Sequence, residues 1–203
     1  MFPETEPPGR TPATRLARAV TEVLAPAVWA AAMPVLIAVH ATGSPRTGLA
    51  WGALAAVFSA AIPYGVIRLG VHRGRLTDHH IGRREQRRTP LLLGLTSVLV
   101  GLVLLAVLGA PQPLIAMVVG MFAVGAGVTV VNQFWKLSVH AAVAAGSVAV
   151  LVLILGLAAL AGVGVVALVG WSRVVLRDHT VPQVLAGAAA GAVLAAGTFA
   201  ALS

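Results

Sequence analysis

Apolar positions in this chain come in long unbroken runs, not in the alternation of a half-buried strand. Seven runs can be marked, at roughly 23–42, 49–70, 90–110, 112–133, 139–158, 160–177 and 182–202. Most are near twenty residues, about what a helix needs to cross a hydrocarbon layer ~30 Å thick. A transmembrane barrel would show short segments of alternating polarity instead. The pattern predicts an all-α, polytopic transmembrane helical bundle of about seven helices, with six as the alternative because residues 139–177 contain no polar interruption. One helix through that stretch would be about twice the length a bilayer needs, so the glycine-rich "LAGVG" is read as a tight turn between two helices. "TGSPRT" and "GAPQP" mark other turns.

Residues 1–22 break the pattern. They are polar, carry mixed charge and include four prolines, which predicts a disordered or surface tail. No cleavable signal peptide is read there, and the first apolar run is expected to stay in place as a helix. The membrane domain is expected to occupy 23–203, with polar loops near 71–90, 132–140 and 171–183. Counting crossings puts all three loops on one side of the membrane, while the opposite turns carry a single charge, Arg46. By the bias of basic residues toward cytoplasmic loops, the amino terminus and these loops are expected on the cytoplasmic face of a bacterial plasma membrane.

Composition narrows the partners. With 59% hydrophobic and 10% charged residues, the chain cannot cover a water-soluble domain with polar surface. The net charge of +8 comes from basic residues flanking apolar spans, so membrane lipid headgroups or an anionic substrate are the expected partners, and nucleic acid is not. Cysteine is absent, which excludes disulfides and thiolate chemistry. No His-x3-His pair or carboxylate cage suggests a metal, and no glycine-rich loop precedes a Lys-Ser or Lys-Thr pair. No cofactor is expected.

Chemistry gathers in "WSRVVLRDHTVPQ", residues 171–183, where Ser172, Arg173 and His179 form Ser-Arg, five residues, His. Thr180 and Pro182 read as the cap and first turn of a helix, whose free amides favour an anion beside His179. Upstream, Ser138 and His140 form Ser-x-His after Lys136, and "HIGRREQRRTP" supplies an arginine-rich loop at 80–90. In order and spacing these resemble the three signature motifs of the type 2 phosphatidic acid phosphatase superfamily, over about residues 70–195. The third motif is the most specific.

The resemblance implies a metal-independent integral membrane lipid phosphatase that hydrolyses a phosphate monoester or pyrophosphate of a phospholipid or polyprenyl lipid. It implies His179 as the nucleophile that becomes a phosphohistidine, and His140 as the acid that protonates the leaving alkoxide and then activates water. Arg173, Arg84, Arg87, Ser138, Lys136 and Arg88 would bind the phosphate, with Arg84 and Arg87 the stronger candidates in the first motif, where the family's lysine is absent. Gln183 stands where the family carries an aspartate that orients the nucleophilic ring, and it would take that role without the charge; the adjacent Asp178 is a possible substitute. Val139 replaces a family glycine. Two alternatives accompany this expectation: a phosphotransferase of the same superfamily, and a catalytically degenerate membrane scaffold or transporter. The acyl or prenyl specificity and the oligomeric state stay open at this level.

Overall fold

The computed structural model describes residues 11–78, 86 and 88–203. Among them every regular element is helical: α1 (Pro12–Val23), α2 (Pro26–Thr42), α3 (Pro45–Ala56), α4 (Ile62–His72), α5 (Arg88–Val107), α6 (Gln112–Phe134), α7 (Val139–Leu155), α8 (Gly162–Val175) and α9 (Val181–Leu202). A π-helical turn, Val57–Ala61, joins α3 to α4, and a 3-10 turn, Leu157–Ala161, leads into α8.

Five of the described helices are long and apolar enough to cross a membrane, or six if the pair α1 and α2, bent by 40°, counts as one span. The expectation of about seven is therefore not reached by length. The reason lies in α2 and α7, both 17 residues, which rise about 26 Å, somewhat short of a full hydrocarbon layer. All seven apolar runs do become helices. The π-turn keeps Pro45–His72 continuous.

The amino-terminal segment differs from the disordered tail expected of it. Thr11 caps α1 by accepting a bond from the Thr14 backbone N–H at 3.2 Å, and Pro12 opens the first turn. Thr14, Ala17, Val20 and Thr21 share one buried face, packed on α8, while Arg15, Arg18 and Glu22 face outward. The segment's charges and prolines hid an amphipathic helix with a small apolar stripe. Residues 1–10 lie outside the described part.

Two apolar clusters hold the bundle. One joins α2, α6, α7 and α9 through Met33, Ile37, Met117, Val124, Val150 and Phe199. The other joins α2, α3, α5 and α6 through Ala38, Ala55, Val98, Leu105 and Leu114. The closest crossing is α7 against α9, in the small-residue run "AGAAAGAVLAAG" that the sequence marks as a packing face. A methyl group on Gly187 would lie 2.6 Å from the Ser138 carbonyl oxygen, and one on Gly191 would overlap the Ala142 backbone. These glycines let the start of α9 lie against the start of α7. Gly191→Ala is expected to lower stability by about 1–3 kcal/mol through overpacking, read as a drop in the unfolding midpoint of detergent-purified protein. Gly197→Ala, which meets open space, should leave the midpoint near that of the parent.

Candidate active site

The third motif closes α8 and opens α9. Ser172 and Arg173 occupy the last turn of α8 and are buried, at 0% and 2% exposure. The helix ends because the Asp178 and His179 backbone N–H groups both turn back to the Arg173 carbonyl, at 3.1 and 3.2 Å. That closure needs Arg177 in the left-handed region, at φ 56°, the one such non-glycine residue among those described. Thr180 then starts α9, with Pro182 in its first turn.

The second motif lies directly against this start. The Ser138 backbone N–H donates to the Gln183 carbonyl at 3.3 Å, which ties the head of α7 to the head of α9. Ser138 is the N-cap of α7: its hydroxyl accepts from the Ala141 N–H at 3.4 Å, and the residue is fully buried. Val139 follows in the first turn of α7. His140 is next, and its ring faces the space into which His179 also projects.

That space is a cavity of about 1370 Å³, lined by both His140 and His179. Below the histidines the wall is almost wholly apolar, with contributions from α2, the π-turn, α4, α6 and α7. On α7 the lining residues His140, Val143, Ser147 and Val150 follow helical spacing down one stripe. On α2, Trp29, Leu36 and Val39 form the opposing wall. Glu22, though exposed, also borders the cavity. Both histidines are buried, at 5% and 6% exposure.

Arg173 is held in a polar cluster and does not itself line the cavity. Its Nη2 pairs with Asp178 Oδ2 at 2.9 Å, and its Nη1 donates to Thr21 Oγ1 at 3.3 Å. Thr21 also shares a 3.1 Å hydrogen bond with Ser172 Oγ, which itself donates to the Val169 carbonyl at 2.7 Å. Asp178, Asp78 and Glu22 are the carboxylates that act electrostatically on Arg173. The cluster's contacts thus come from α1, α8 and the α8–α9 turn.

Other expected site residues are placed as follows. Gln183 Oε1 accepts from the Thr180 N–H at 3.1 Å, the return half of a capping box, so the oxygen expected to orient His179 is committed at least in part to the helix start. Asp178, the possible substitute, spends its carboxylate on Arg173. Lys136 is half-buried in the link between α6 and α7, next to the exposed Trp135. Arg88 is exposed at the start of α5. Arg84 and Arg87 lie outside the described residues. Among the described residues no group of three or more histidine, cysteine or carboxylate side chains could hold a metal ion.

Comparison with known proteins finds no matching family model, no matching curated protein and no matching solved structure. What the site can do must be argued from its own chemistry. Thr21 and Glu22 carry no motif and were not expected in it; the signal that would have found Thr21 is the small-residue stripe Thr14, Ala17, Val20, Thr21, which marks a helix that packs on something.

Proposed function

We propose that this chain is an integral membrane lipid phosphatase, built from seven spans in a bacterial plasma membrane with its site at the cytoplasmic face. The observation that carries the reading is that His140 and His179, separated by a whole helix and more of sequence, line a single cavity whose remaining wall is largely apolar. Two imidazoles at the mouth of a hydrocarbon-lined space suit a substrate with a phosphate head and an oily tail. The volume of about 1370 Å³ exceeds what drug-sized ligands need and is on the scale of a lipid.

In this reading the His179 ring attacks phosphorus in line with the ester oxygen. The P–O bond to the lipid breaks as the P–N bond forms, and His140 delivers its proton to the departing alkoxide. Neutral His140 then takes a proton from water, whose oxygen attacks the phosphohistidine. The P–N bond breaks, inorganic phosphate leaves, and both rings return to their starting forms. Arg173, with Arg84, Arg87, Arg88 and Lys136, would balance charge on the phosphoryl oxygens. Ser138 supports the reading by holding the first turn of α7, and so His140, against α9.

The test is phosphate release from a panel of phosphatidic acid, phosphatidylglycerophosphate, and polyprenyl phosphate and diphosphate by purified protein. Hydrolysis of at least one, inhibited by vanadate and indifferent to chelators, is expected; a full panel without release would end the proposal. Adding alcohol acceptors to the same assay separates transfer from hydrolysis.

A further inference from the structure

We propose that Asp178 is an internal stand-in for phosphate on Arg173, so that an incoming phosphate replaces one oxyanion with another, while Thr21 keeps the guanidinium in place through the exchange. The inference rests on the phosphatase reading only in taking Arg173 as a phosphate ligand.

A guanidinium at 2% exposure requires a compensating charge, or burial would expel it. Asp178 supplies that charge through one 2.9 Å contact to Nη2. A guanidinium presents parallel N–H donors that match two oxygens of one anion. Here the fork is half filled: Nε is buried and has no hydrogen-bond partner among the described residues. A tetrahedral phosphate, with oxygens to spare, can bond Nε and Nη2 together once the carboxylate moves off.

The two partners of Arg173 differ in how easily they leave. Thr21 is 2% exposed and is tied to Ser172 as well. Asp178 is 34% exposed and follows Arg177, whose left-handed backbone is costly for any residue with a Cβ and stores strain that an opened turn would release. Glu22 and Asp78 stay as compensating charges near Arg173. A weakly charged phosphodiester would compete poorly with the carboxylate, whereas a monoester dianion would win.

The test uses full-length protein in detergent and two probes, inorganic phosphate and vanadate. Binding is read from the ligand-induced rise in unfolding temperature, which requires no turnover, and from vanadate inhibition where activity exists. Asp178→Asn keeps the shape and removes the competing charge; it is expected to tighten both probes about tenfold or more. Thr21→Val is expected to loosen them several-fold, with Thr21→Ser restoring parental binding. Equal or weaker binding by Asp178→Asn would overturn the proposal, because it would mean that the carboxylate helps to hold the anion. Should Asp178→Asn fail to fold alone, folding in the presence of phosphate or vanadate is expected, and failure there too would count against the exchange. If wild type releases no phosphate from any lipid while Asp178→Asn still tightens the probes, the phosphatase reading falls and the exchange stands.

Discussion

His179→Asn is expected to reduce phosphate release from lipid phosphates by at least about 10,000-fold, because the reaction proposed here passes through a bond between phosphorus and this ring. Asparagine keeps much of the imidazole's volume and one hydrogen-bonding amide, but it has no nucleophilic nitrogen. The residue is 6% exposed at the head of the cavity, so a loss of activity must be separated from a loss of fold. The unfolding midpoint provides that separation: a shift worth about 1–3 kcal/mol is what a buried polar replacement costs, far too little to empty the folded state of a well-behaved protein. A variant that folds and still hydrolyses at a tenth of the wild-type rate would remove His179 from the chemistry.

His140→Ala carries the second large effect, and it should depend on the leaving group. With an alkoxide leaving from a lipid phosphate, loss of the general acid is expected to slow release by about 100- to 10,000-fold. With p-nitrophenyl phosphate the leaving group needs no proton, so the first step should survive much better than the second, which still requires a base to activate water. Phosphoenzyme should then accumulate on His179. Mass spectrometry of quenched protein, or an acid-labile and alkali-stable phosphate label, would detect it. Equal losses with both substrates and no trapped phosphate would take His140 out of the acid–base role. Its position in the first turn of α7, against a head of α9 fixed by the Ser138 N–H to Gln183 carbonyl bond, is the reason to expect otherwise.

These two predictions draw on residues 39 positions apart in the chain, and how they meet was only partly legible beforehand. The order of Ser138, His140, Ser172, Arg173 and His179 was readable, as was the parity of crossings that puts their loops on one face. That both rings enter one cavity is a matter of helix packing. It depends on Gly187 and Gly191, which the run of small residues announced as a packing face without naming its partner. Gln183 shows the opposite case: its offset from His179 suggested a ring contact, yet its side-chain oxygen meets the Thr180 N–H three residues away, a local bond that needs no tertiary partner.

What the sequence determined by itself was whatever a bilayer and a helix impose locally. Unbroken apolar runs must satisfy their own backbone and so become helices, and Ser138 and Thr180-Val181-Pro182 set helix starts through bonds spanning three or four residues. The tertiary structure decided what those helices face. The 17-residue lengths of α2 and α7 reduced the number of self-sufficient spans, α1 emerged from a segment read as a tail, and Arg173 found Thr21 across 152 residues and Asp178 across a strained turn. Local hydrogen bonds and burial periodicity recur within a turn or two and leave a mark in the sequence. The partner of a buried charge is chosen by which helix faces happen to be brought together, and no short window of residues records that choice.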